Sequence, residues 1–92
     1  MPKDLKVSLL LDVYGELLSE KQRLLIECYY NEDLSLMEIS ENEGITRQGA
    51  RDAIVKAVSK LYNFEEKLHL LEIKTNLKQL KDDKLTAYIE NL

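Results

Sequence analysis

An all-α fold is the expectation for this chain, and three observations carry it. The only proline is Pro2 and the only glycines are Gly15, Gly44 and Gly49, so long stretches of good helix formers run without interruption. Apolar residues recur at spacings of three and four along most of the sequence. Two blocks, Ser19–Gln22 and Ser35–Glu38, have a form that starts helices: the serine hydroxyl accepts from the amide three residues on, and the longer side chain reaches back. With 92 residues the chain is the size of one ordinary domain, and a single helical domain over 1–92 is expected.

The elements follow in order. A first helix from about Asp4 to Tyr14 is expected to turn Leu5, Leu9, Leu10, Val13 and Leu17 inward, with Gly15 near its end. Ser19 starts a second, carrying Leu24, Leu25, Cys28 and Tyr29 inward and ending near the turn-forming Asn31-Glu32-Asp33. Ser35 opens a short third helix with Leu36, Ile39 and Ser40 on its inner face, which must stop at Gly44. Glu43-Gly44-Ile45-Thr46 then supplies a glycine that tolerates a left-handed turn, a buried aliphatic and an N-capping threonine. Two helices joined by so short a glycine-containing turn form a helix-turn-helix, here over about 35–60, with small Ser40 and Ala50 where the helices cross.

The fourth helix shows Ala50, Ile54, Ala57, Leu61, Phe64, Leu68 and Leu71 in alternating steps of four and three, and is expected to reach the seventies. The apolar phase then moves to Ile73, Leu77 and Leu80, which puts a bend between His69 and Thr75. Asp82-Asp83 reads as the start of a last short helix with Leu85, Tyr88, Ile89 and Leu92. The whole C-terminal helical extension covers about 65–92. Two readings of the stripe stand: packing on the first helices of the same chain, or pairing of two chains. The part through Leu61 should be occupied within the domain. Phe64, Leu68, Leu71 and Leu77 extend past what three short helices cover, and are the expected surface of a homodimer or a partner.

Composition excludes several classes of function. At 45% hydrophobic and 33% charged residues the chain can bury a core, which argues against disorder. No apolar run approaches the roughly 20 residues a bilayer requires. Met1-Pro2-Lys3-Asp4-Leu5, with a charge on either side of its first apolar residue, is not expected to open a secretory signal, and the expected address is the cytoplasm. Cys28, the single cysteine, cannot form an internal disulfide and is read as a packing residue in a reducing compartment. His69, the single histidine, is 41 positions away with no motif linking the two, so no nucleophile and base pair is indicated. Three scattered glycines make no phosphate loop, and the acidic run lacks the pattern of a calcium loop. No enzyme activity, cofactor or metal is expected. Tyr14, Tyr29, Tyr30, Tyr62 and Tyr88 are spread over four helices and read as core-edge residues, not as a stacking platform.

Charge placement is the informative feature. The net charge of −4 hides two opposite faces. Residues 27–43 hold Glu27, Glu32, Asp33, Glu38, Glu41 and Glu43 with no Lys or Arg, a local −6. Residues 46–60 hold Arg47, Arg51, Lys56 and Lys60 against Asp52, a local +3. A helix entering a major groove needs cations for phosphates and hydrogen-bonding side chains for base edges. Thr46, Arg47, Gln48, Arg51 and Lys56 are of the right types, and form the candidate nucleic-acid site. The same residues are also what a solvated helix face carries, and a pI near 5.0 opposes non-specific DNA binding. Glu38, Glu41 and Glu43 are the candidate contacts for a basic partner, the alternative being a solvating surface.

The stretch from Leu9 to Arg23, with its Tyr14-Gly15-x-Leu17-Leu18-x-Glu20-Lys21-Gln22-Arg23 block, closely resembles the YlxM family of Firmicute bacteria. So do Tyr29-Tyr30, the run Asp33 to Ser40, and Thr46-Arg47-Gln48-Gly49, and the resemblance covers the chain to about Leu71. The helix-turn-helix half alone is also similar to region 4 of bacterial sigma factors. The resemblance implies a small helical protein encoded beside the genes for the signal recognition particle GTPase Ffh and its receptor FtsY. It therefore implies a regulatory or accessory role in that protein-targeting pathway, with Ffh, FtsY or the particle's RNA as partners. The alternative from the residues themselves is a DNA-binding transcriptional regulator.

Overall fold

The computed structural model describes residues 3–79 and 90. Among these residues there is no strand. The order is α1 (Lys6–Tyr14), a 3-10 turn (Gly15–Leu17), α2 (Glu20–Tyr30), α3 (Leu36–Glu43), α4 (Arg47–Leu68) and α5 (Leu70–Gln79). Both serine blocks form their reciprocal caps. Ser19 Oγ accepts from the Gln22 amide at 3.2 Å while Gln22 Oε1 accepts from the Ser19 amide at 3.3 Å. Ser35 and Glu38 repeat this at 3.1 Å in both directions. Each box satisfies two amides that a helix start otherwise leaves without partners.

The long α4 is the spine against which α1, α2 and α3 all pack. One core cluster joins α1 to the middle of α4 through Val7, Leu10, Leu11, Tyr14, Ala57 and Leu61. A second joins α2, α3 and the start of α4 through Leu25, Tyr29, Ile39, Ala50 and Ile54. Full burial of a side chain such as Leu10, Ile39 or Ile54 contributes roughly 1.5–3 kcal/mol relative to leaving it in water. The helix-turn-helix is therefore held from beneath by its own cluster, separate from the one that anchors α1.

The rotation of α1 differs from the expected one. It buries Val7, Leu10, Leu11 and Tyr14, leaves Leu5, Leu9 and Leu17 exposed, and keeps Val13 half-buried. Leu9-Leu10-Leu11 can be read in two phases, and the choice is made by Tyr14, which is fully buried and finds its hydroxyl partner on α4. In α2 the buried set is Leu25, Ile26 and Tyr29; Leu24 is exposed and Cys28 half-buried.

The spine also stops earlier than expected. α4 ends at Leu68, His69 takes a left-handed conformation with φ 55°, and α5 begins at once, so the expected bend sits at His69 itself. The cause is a tertiary cap. Tyr14 Oη donates to Glu65 Oε1 at 2.7 Å and accepts from the Leu70 amide at 3.0 Å. Glu65 then accepts from the Leu71 amide at 3.1 Å and the Glu72 amide at 3.2 Å. One carboxylate and one phenol thus serve the first three amides of α5, where a negative charge is also favoured by the helix dipole. Burial pushes the Glu65 carboxyl up, but the Tyr14 hydroxyl and the two amides outweigh it and hold the group below its usual range. The Tyr14 phenol is pushed up, by burial first and by the Glu65 bond second. Leu80, Asp82, Asp83, Leu85, Tyr88, Ile89 and Leu92, the residues assigned to a last helix and its approach, lie outside the described residues.

Candidate nucleic-acid interface

The turn between α3 and α4 is Gly44-Ile45-Thr46, and each residue has a physical task. Gly44 sits at φ 65°, ψ 33°, a left-handed conformation that costs an L side chain about 1–2 kcal/mol. Its amide and that of Ile45 both donate to Ser40 O, closing α3. Ile45 is half-buried and packs on the second core cluster. Thr46 caps α4, its Oγ1 accepting from the Gly49 amide at 2.9 Å. A Cβ at Gly49 would meet that same oxygen at 3.0 Å, so the first turn of α4 is tightly closed over its cap. Ser40 and Ala50 are buried where α3 and α4 pack together, and Ser40 satisfies its hydroxyl on Met37 O at 2.8 Å.

The first turns of α4 are thus capped and turned to solvent on one side. Thr46, Arg47, Gln48, Arg51 and Lys56 are all exposed, with Ala50, Ile54 and Ala57 buried on the opposite side. Three side chains on this face are linked. Gln48 Nε2 donates to Asp52 Oδ1 at 2.9 Å, and Arg51 Nη1 is 3.8 Å from the same oxygen. Lys60 is turned toward α2 instead, donating to Gln22 Oε1 at 3.2 Å. The sequence reading left Asp52 out of the site, although its spacing of four from Gln48 is the signal that could have found it.

The acidic candidates lie on α3, which packs against α4. Glu38, Glu41 and Glu43 are exposed, but Glu38 is also half of the cap that starts α3, so its carboxylate has a structural task. The four apolar candidates separate. Phe64 and Leu71 pack on the first core cluster of their own chain: Phe64, on α4, has its ring 5.8 Å from that of Tyr14, and Leu71 comes with α5, which packs beside α1. Leu68 remains exposed, and Leu77 lines a shallow groove with Val13, Leu70 and Ile73.

The remaining singled-out residues are accounted for locally. Cys28 packs on the second cluster, and its thiol is pushed up by burial first and by nearby Glu32 next, which favours the inert protonated form. His69 is exposed at the helix break, with Nδ1 3.2 Å from Glu72 Oε2. Tyr62 donates to Asp4, which pushes its hydroxyl up to about 12. Tyr29 and Tyr30 meet edge to face at 5.2 Å. Tyr88 lies outside the described residues. Among the described residues no three metal-ligating side chains converge, and no helix is long and apolar enough to cross a membrane.

Residues 1–91 match the family model described as "UPF0122: Putative helix-turn-helix protein, YlxM / p13 like". The chain belongs to this family. A UPF0122 protein of Clostridium kluyveri is 46% identical over 81 residues, which is 88% of this chain and 73% of the relative. One from Fusobacterium nucleatum is 39% identical over 95 residues, covering 95% of this chain and 92% of its own length. One from Desulforamulus reducens is 52% identical over 66 residues, 72% of this chain and 56% of the relative. The family match carries the resemblance past Leu71.

Proposed function

We propose that this protein is a small DNA-binding regulator whose nucleic-acid contact is the N-terminal half of α4. One observation carries the reading: the capped start of α4 presents Arg47, Gln48 and Arg51 to solvent together, with the helix held from behind by buried Ala50 and Ile54. In a helix-turn-helix this is the segment that enters the major groove, where cations meet phosphates and amide or guanidinium groups meet base edges. The net charge of −4 works against indiscriminate binding, so affinity has to come from this one local face. The site is non-catalytic and needs no cofactor, and a cytoplasmic address is part of the reading. Exposed Leu68, Leu70 and Ile73 are the surface proposed for pairing two copies, which would present two such helices to one duplex.

A second reading, an accessory factor of the signal recognition particle acting on Ffh, FtsY or the particle RNA, has its support in the family resemblance and in one observation. Glu41 and Glu43 are exposed on α3, so a basic protein surface has complementary charges to meet there. Fluorescence anisotropy with random-sequence DNA duplex, particle RNA and purified Ffh across a salt series separates the two. The first reading expects duplex binding whose log–log salt slope falls by about 1 for each of Arg47→Ala and Arg51→Ala. Unchanged affinity in the double variant would remove the recognition-helix role, and preference for the particle components would favour the second reading.

A further inference from the structure

We infer that Gln48, held by Asp52, and Val55 form a base-reading stripe for two adenine–thymine pairs about three steps apart in the major groove of duplex DNA, Gln48 meeting the adenine of one and Val55 the thymine of the other. The inference rests on the duplex-binding reading above and adds to it the chemistry of what is read.

The argument starts from a charge in an awkward place. Asp52 is the lone acid among the cations of residues 46–60, and its side chain is 55% exposed. Facing phosphates, a free carboxylate would only repel. It is not free: it accepts from Gln48 Nε2 and lies beside Arg51 Nη1. A carboxylate can only accept, so this bond also decides which end of the Gln48 amide is which. The nitrogen faces Asp52 with one of its hydrogens. The amide oxygen and the second N–H have no partner among the described residues. One acceptor and one donor on an oriented amide are the complement of adenine's major-groove edge, which offers the N6 amino group and the N7 acceptor.

The second observation is independent of the amide. Val55 is 41% exposed, an apolar side chain in a face otherwise made of Arg47, Gln48, Arg51, Asp52 and Lys56. It is seven residues, about two helical turns, from Gln48 and four from Arg51, so the three share one stripe. Next to a duplex such a side chain has one apolar feature to meet in the major groove, the C5-methyl of thymine. Arg51, with donors left over from its contact to Asp52, supplies the adjoining phosphate or guanine contact. Asp52 is a positioning residue in this arrangement and touches no base.

The test selects bound duplexes from a random pool and then rebuilds the enriched site with base analogues. Replacing adenine by 7-deazaadenine at the pair that Gln48 reads should weaken the wild-type protein roughly tenfold and leave Gln48→Ala unaffected. Replacing thymine by deoxyuridine at the pair that Val55 meets should weaken the wild type by about two- to fivefold and leave Val55→Ala unaffected. Asp52→Ala should flatten the adenine preference while affinity for random duplex holds or rises, a pattern that loss of structure would not give. Circular dichroism checks each variant for folding. An enriched site in which no A·T pair responds, or an Asp52→Ala variant with intact preference, overturns the inference and leaves duplex binding standing. Absence of any duplex binding removes both.

Discussion

Removing one hydroxyl should measure how firmly α5 is attached. Tyr14→Phe keeps the buried ring and its packing on Phe64 but deletes the donor to Glu65 Oε1 and the acceptor for the Leu70 amide. A hydrogen bond to a charged group contributes about 1.5–3 kcal/mol, whereas the partly accessible Leu70 amide can turn to water at small cost. The expected loss is therefore about 2 kcal/mol, which for a domain of this size lowers Tm by about 8–16 °C. Urea unfolding followed by circular dichroism gives the number directly. The pH dependence has a definite sign. Glu65 is held below its ordinary 4.5, so its contribution is complete above that value and lost as pH falls through the lower, folded-state value. The Tyr14→Phe penalty should accordingly be smaller at the acid limit of the folded state than at pH 7. Glu65→Gln, which keeps the shape and discards the charge, should couple to Tyr14→Phe by about 1 kcal/mol in a double-mutant cycle. A penalty below about 0.5 kcal/mol at pH 7, or one that is the same at both pH values, would show that this network does not hold α5.

Three further outcomes are expected. Gly44→Ala should cost about 1–2 kcal/mol in urea unfolding through backbone strain alone, since a Cβ there meets nothing within 4 Å, and Gly44→Asn should recover part of it. Ser35→Ala removes the cap of an eight-residue helix and should cost about 1 kcal/mol, with faster amide exchange confined to α3 and the start of α4. Reversing Glu41 and Glu43 to Lys should weaken any basic protein partner at least tenfold in a pulldown or titration, whereas reversing Glu38 would confuse the result by breaking the α3 cap.

What the sequence made legible is what it encodes locally. Ser19–Gln22, Ser35–Glu38, Gly44 and Thr46 form the expected caps and turn because each needs only residues three or four positions away. The cationic start of α4 was readable for the same reason, since a capped helix start fixes which side chains come first. The rotation of α1 was not. Its triple leucine is satisfied by two phases, and the deciding contact, Tyr14 to Glu65, joins residues 51 apart. Phe64 and Leu71 were offered to a second chain because nothing near them in sequence shows that α1 covers them. Gln48 is legible in the sequence as a candidate for contacting nucleic acid, but Asp52 reads there only as a charge, and its bond to the Gln48 amide appears only when side chains are placed.

The break at His69 has a consequence for any fragment of the protein. Residues 58–79 contain neither glycine nor proline, so nothing in that segment demands a corner. The corner exists because a tyrosine from the far end of the chain reaches across to it. Excised from its surroundings the segment should form one straight rod, and a truncation that removes α1 should straighten the parent protein in the same way. The direction α5 takes after α4 is thus set by a residue of α1, and loosening either helix should loosen the other.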